Sequence, residues 1–165
     1  MRHLLASLPL LVACQPVQVT HSEEFGKQAI YLPAPSPSQI NVDIAMGVYR
    51  INRPENCLWP IFIPKIAERG LTNSKGNEPK EVYIGPAAFR SWAVLGSTLA
   101  HEIEVHCNQN VNLIILKDLL GLPGTAKAEG EAYGYELAHA KRFGLSVKEM
   151  IEIRRTVLIN YPTQK

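Results

Sequence analysis

The chain has 165 residues, 46% of them apolar and 19% charged, and a formal net charge of +2. That balance fits a globular protein long enough for one domain with a real core, and it excludes a disordered chain. Without a basic cluster or a large charge excess, nucleic acid is not an expected partner.

In chain order, Met1-Arg2-His3 is short and basic, Leu4 to Val12 is mostly apolar, and small residues follow. These are the parts of a secretory signal, predicted over residues 1–13, and the apolar run falls short of the roughly 20 residues that span a bilayer. Leu11-Val12-Ala13-Cys14 also resembles the bacterial lipobox. That resemblance implies lipidation of Cys14 and an exported protein anchored to the cell envelope, with Gln15 after it implying the outer membrane. Residues 14–39 read as a tether, because Pro33, Pro35 and Pro37 alternate with Ala and Ser in an extended spacer. A folded domain is expected over 40–165.

Ile40, Val42 and Ile44 alternate, and Met46, Val48 and Ile51 continue the pattern, so one or two strands are expected over Ile40–Ile51. Trp59 to Glu68 reads as a short strand and a helical turn ending at Gly70. Leu71 to Lys80 is polar and reads as a loop, and Glu81-Val82-Tyr83-Ile84 reads as a strand stopped by Gly85-Pro86. A helical region then starts near Pro86, is interrupted near Gly96 and Ser97, and restarts with Ser97 or Thr98 as cap. It continues through Leu113, Ile114 and Leu119 to Gly121. A second helix is expected from Thr125 to Phe143 with Gly144 as its stop. A third opens at the Ser146–Glu149 capping box and runs to about Asn160.

The first of these helices carries Leu99-Ala100-His101-Glu102-Ile103-Glu104-Val105-His106. His-Glu followed by a second His is how a helix builds a catalytic zinc site: the rings take the metal and the Glu activates water. Here the histidines lie five apart, which on a regular helix leaves them about 140° from each other. A single π-type turn would realign them. Glu102 and His106, four apart, share a face without any distortion and form an alternative ligand pair. Glu104 reads as a solvated helix charge.

The H-E-x-x-x-H spacing resembles dipeptidyl peptidase III, a gluzincin-type zinc peptidase family of much longer chains. The resemblance covers the motif and its downstream acid. It implies zinc as cofactor, a peptide or protein substrate, and a third ligand from a later helix in an acid-x-acid-Ala pattern. Glu131, in Glu129-Gly130-Glu131-Ala132, matches that ligand, with Glu129 as fallback. Tyr135 and His139 fall within about 40° and 80° of Glu131, whereas Glu129 and Glu136 point largely elsewhere. Tyr135 or His139 would then donate to the oxyanion, with Glu102 as the base. The order strand, active helix, turn and acid-bearing helix resembles that of zincins, and this resemblance implies a small α+β domain of zincin type with Val82–Ile84 as the substrate-binding edge.

Cys57 and Cys107 can pair in an oxidising compartment, closing a loop worth about 4 kcal/mol. Buried thiols are the alternative, since Cys107 shares an apolar stripe with Ile103, Val111 and Ile114. The expected function is an exported, lipid-anchored zinc hydrolase. Its rival is a non-catalytic envelope lipoprotein with a structural or relict metal site.

Overall fold

The computed structural model describes residues 22–76 and 78–162. The expected signal segment, Cys14 and the first part of the expected tether lie outside the described residues. No helix among the described residues is long and apolar enough to cross a membrane.

The chain mixes helices with one small sheet, so its class is α+β. Helix α1 (Ser22–Ala29) falls inside the expected tether, yet it is packed rather than open. Phe25 sets its ring edge-on against Tyr49 at 5.2 Å and Trp92 at 5.9 Å, and Ala29 is buried. Among the described residues, the proline stretch after it is irregular, as expected.

Where strands are expected from Ile40, the chain forms helix α2 (Gln39–Val48). Ser38 caps it by accepting from the Asn41 N–H at 3.3 Å. The buried residues are Val42, Ala45, Met46 and Tyr49, at helical spacing, while Ile40 and Ile44 are exposed. The period-2 reading therefore joined residues from two different helix faces.

The sheet has the order β1-β3-β2. Strand β1 (Ile61–Phe62) runs parallel to β3 (Glu81–Ile84), and β2 (Gly70–Asn73) runs antiparallel to β3. The segment Leu71–Asn73, expected as loop, is thus strand, because β3 supplies its hydrogen bonds. The helical turn expected before Gly70 does not form. Val82–Ile84 lies in the central strand, with both edges paired; the edge strands are β1 and β2.

After a short 3₁₀ turn, Pro86–Arg90, helix α3 (Trp92–Ala100) is capped by Ser91, whose hydroxyl accepts from the Val94 N–H at 3.1 Å. The break expected near Gly96 is absent, and Ser97 and Thr98 lie inside the helix. Every residue from Ala93 to Ala100 is buried, which makes α3 the central rod of the core. Two breaks interrupt what reads as continuous helix in the sequence. One separates α3 from α4 (Val111–Leu119), and the other separates α5 (Gly124–Ala138) from α6 (Ala140–Phe143) at His139. Helix α7 (Val147–Asn160) begins at the expected capping box. Glu149 accepts from Ser146 Oγ at 2.7 Å and from Ser91 Oγ at 2.6 Å, so one carboxylate joins the caps of α3 and α7.

Candidate metal centre

Helix α3 does not end at Ala100; it widens. His101–Val105 forms a π turn, and the His106 N–H donates back to the His101 carbonyl as well as to that of Glu102. The turn absorbs the extra residue, the condition under which the two rings can meet. His101 Nε2 and His106 Nε2 come to 3.0 Å from each other, with the ring centres 4.7 Å apart.

The backbone beyond the turn is clamped from the other side. Lys80 Nζ donates to the carbonyls of His106 at 2.8 Å and Gln109 at 2.5 Å, and Asn56 Nδ2 donates to that of Cys107 at 3.0 Å. Cys57 and Cys107, left open between a bridge and buried thiols by the sequence, form a disulfide with Cα atoms 5.8 Å apart. The residue after His106 is therefore tied covalently to the loop before β1.

The carboxylate facing both rings belongs to Glu129, not Glu131. Glu129 Oε2 lies 3.5 Å from His101 Nε2, and its Oε1 lies 3.3 Å from His106 Nε2. His101, His106 and Glu129 offer one ligand atom each within 4.8 Å of one another, a group that can hold a metal ion. Glu131 instead accepts from Gln109 Nε2 at 3.3 Å. About 160° separates the two glutamates around α5, so the partners already packed on the helix decide between them.

The outer contacts fix the ring tautomers. His101 Nδ1 donates to Glu136 Oε1 at 2.8 Å, and His106 Nδ1 donates to Gln109 Oε1 at 2.6 Å. Gln109 is oriented because its Nε2 donates to the Ala128 carbonyl at 3.0 Å and to Glu131. With each Nδ1 donating outward, the two Nε2 atoms face each other at 3.0 Å, and a cation between them, either a proton on His101 or a metal ion, relieves the repulsion of their lone pairs. The donor set fits a metal ion: two imidazole nitrogens and one carboxylate, with buried Glu136 and half-buried Gln109 behind the rings.

Glu136 is fully buried and also accepts from Arg69 through both oxygens, at 2.8 and 3.2 Å. Burial would raise its carboxyl, but His101 and Arg69 outweigh that and hold it at about 2. Glu129 is likewise held at about 2, since its bonds to the two histidines overcome burial. Burial disfavours the charged His101 ring, yet Glu129 and Glu136 raise its pKa to about 9. The cluster is built to hold positive charge.

Glu102 is 5% exposed, and its Oε1 lies 4.0 Å from His101 Nε2. Thr72 Oγ1 on β2 donates to its Oε2 at 2.8 Å. A Cβ at Gly70 would approach Oε1 to 2.6 Å, so glycine there lets the strand pass against the carboxylate. Glu102 faces β2 and stands outside the three-residue ligand group, which disfavours its pairing with His106 as ligands.

These groups line a cleft of about 630 Å³, closed by Arg69, Leu71, Tyr133, Ile153 and Tyr161. Tyr133 packs edge-on against His101 at 4.6 Å, and Tyr161 lies 5.9 Å from Tyr133. Burial and then the nearby Glu129 and Glu102 raise the Tyr161 phenol above its ordinary value.

Tyr135 and His139, expected beside the metal, lie on the far side of the π turn. The Tyr135 hydroxyl donates to Glu104 Oε2 at 2.8 Å, and His139 stacks on the Tyr135 ring at 4.0 Å. Glu104 is not a solvated charge. Arg142 donates to both its oxygens, at 2.7 and 2.9 Å, and the Asn52 N–H donates at 2.8 Å. Glu136, Thr72, Gln109 and Tyr161 are site residues that the sequence reading missed. For Glu136 a signal existed: Glu129, Tyr133 and Glu136, at i, i+4 and i+7, form one helix stripe.

No protein-family model matches the chain, and no curated protein or solved structure is significantly similar to it.

Proposed function

We propose that the chain is a zinc-dependent hydrolase of zincin type that cleaves peptide bonds, exported and lipid-anchored at Cys14. The observation that carries this reading is the π turn that aims two imidazoles at one carboxylate beside a buried glutamate. His101, His106 and Glu129 would hold the ion, and three protein ligands leave a position for chemistry. Zinc there supplies Lewis acidity, polarising the scissile carbonyl and making water a nucleophile at neutral pH.

The chain's own groups do the rest. Glu102 takes the proton of the attacking water at Oε1 and passes it to the leaving nitrogen, while Thr72 keeps Oε2 in place. Tyr161, on the cleft wall near both carboxylates, donates to the developing oxyanion. An extended peptide adds to the outer edge of β2, whose other edge is paired with β3.

The test is zinc content and peptide turnover in wild type and Glu102→Gln. Wild type should hold one zinc per chain and cleave members of a peptide library. The variant should keep its zinc and lose about a thousandfold in turnover. A protein without stoichiometric zinc ends the proposal, and zinc without turnover leaves a structural centre in its place. Equal loss of zinc in the variant would make Glu102 a ligand.

A further inference from the structure

Among the described residues, one buried side-chain polar atom has no hydrogen-bond partner, the hydroxyl oxygen of Thr98. Thr98 is 1% exposed and lines the cleft that holds the metal group. A threonine within a helix ordinarily donates back to the carbonyl a turn earlier. Here the Val94 carbonyl, four residues before Thr98, already accepts from Ser97 Oγ at 3.2 Å. Burying a hydroxyl with no partner is costly, so the group calls for a ligand that completes it.

Its place in the cleft says which ligand. Thr98 precedes His101 by three residues and Glu102 by four, so all three share one face of α3, with the hydroxyl one turn, about 5.4 Å, before the base. Helix α7 follows that face. Glu149 joins its start to Ser91, and Tyr161, just past its end, reaches Tyr133 beside His101. The cleft therefore runs from the metal group past Thr98 toward Arg90. Its guanidinium groups are already neutralised, Arg69 by Glu136 and Arg90 by Glu152, each at 2.8 Å. The Thr156 hydroxyl donates to the Glu152 carbonyl at 3.0 Å, and Ile153 adds apolar wall. A carboxylate entering here meets only paired cations, and a cation meets exposed Glu68 only at the mouth. An apolar side chain leaves Thr98 unpaired. A neutral hydrogen-bonding group completes the hydroxyl without burying a charge.

We propose that Thr98 Oγ1 is the floor of a substrate pocket that selects a carboxamide side chain, that of glutamine, in a peptide residue flanking the cleaved bond. A carboxamide donates and accepts, as the hydroxyl does. That of glutamine stands one methylene further out than that of asparagine, which suits a floor one helical turn from Glu102. Thr98 is thus a specificity residue. The proposal rests on the hydrolase reading for the cleavage that it steers, while binding reports the pocket separately.

The test uses blocked hexapeptides that differ only in carrying Gln, Met, Glu or Lys at the two positions flanking the central bond. Calorimetry measures their binding to the Glu102→Gln chain with zinc present, where they stay whole, and kcat/KM is measured with wild type. The Gln peptide should bind about tenfold tighter than the other three and lead them in kcat/KM. Adding Thr98→Val should erase the Gln-over-Met ratio. Zinc content should hold and Tm should not fall, because the isostere removes an unpartnered buried hydroxyl. Thr98→Ser, which keeps the hydroxyl, should keep the ratio. A ratio that survives Thr98→Val overturns the proposal, as does tighter binding of any other peptide; for Lys, that result would point to Glu68. Turnover without a Gln preference overturns the proposal and leaves the hydrolase reading standing. A Thr98-dependent Gln preference in binding, without turnover, does the reverse.

Discussion

The two flanks of α5 carry nearly the same chemistry and do opposite things. On one, Glu129, Tyr133 and Glu136 meet His101, His106 and the cleft. On the other, Glu131 and Tyr135 meet Gln109 and Glu104. Residue type does not separate a candidate site from a structural cluster; the partner brought opposite each side chain does. The π turn repeats the lesson, since Glu102 faces the cleft while Glu104 is locked to Arg142.

The sharpest way to break that contrast is to remove one glutamate from each flank. Glu129→Ala should lower zinc affinity by more than about a hundredfold, beyond the cost of losing an outer partner. Glu131→Ala, acting only through Gln109, should stay within about tenfold. Competition with a chelator measures both, and equal losses would erase the distinction between the flanks.

Glu136→Gln tests the outer shell next. The amide can still accept from His101 Nδ1, but Arg69 loses its charged partner. Zinc affinity should fall about ten- to a hundredfold. Stability should fall by about 3 kcal/mol in chemical denaturation, because a largely buried guanidinium is left uncompensated.

The smallest effects belong to the Glu104 flank. Tyr135→Phe should leave zinc content and turnover unchanged and cost about 1 kcal/mol, a fall in Tm of about 2–4 °C. Loss of turnover with zinc retained would restore Tyr135 to the site. The same flank sets an acid response. Burial raises the Glu104 carboxyl, but Arg142, the Asn52 N–H and Tyr135 outweigh it and hold the group below its ordinary value. Its stabilisation is therefore present above the unfolded carboxylate's pKa and lost as pH falls through the lower folded one. Glu104→Gln should flatten that acid limb of a Tm-against-pH profile.

Local signals were reliable where a few adjacent residues settle the matter. The Ser146–Glu149 box opens α7, and Glu81–Ile84 is a strand. They failed where a distant surface chose the outcome. Ile40, Val42 and Ile44 alternate, yet α2 forms because Val42, Ala45, Met46 and Tyr49 reach the core together. Gly70–Asn73 looks like loop until β3 lies beside it.

For the site, the sequence by itself determined which rings were available, that they sat one residue too far apart for a regular helix, and that a later helix carried acids on two opposed stripes. All of this follows from chain spacing and the geometry of a single helix. Only the tertiary structure decided that the turn widens, that Glu129 rather than Glu131 faces the rings, and that Glu136 holds His101 from behind. A helix wheel fixes angles within one rod but not the rotation of that rod against its neighbours; the packing of α5 against the π turn sets it.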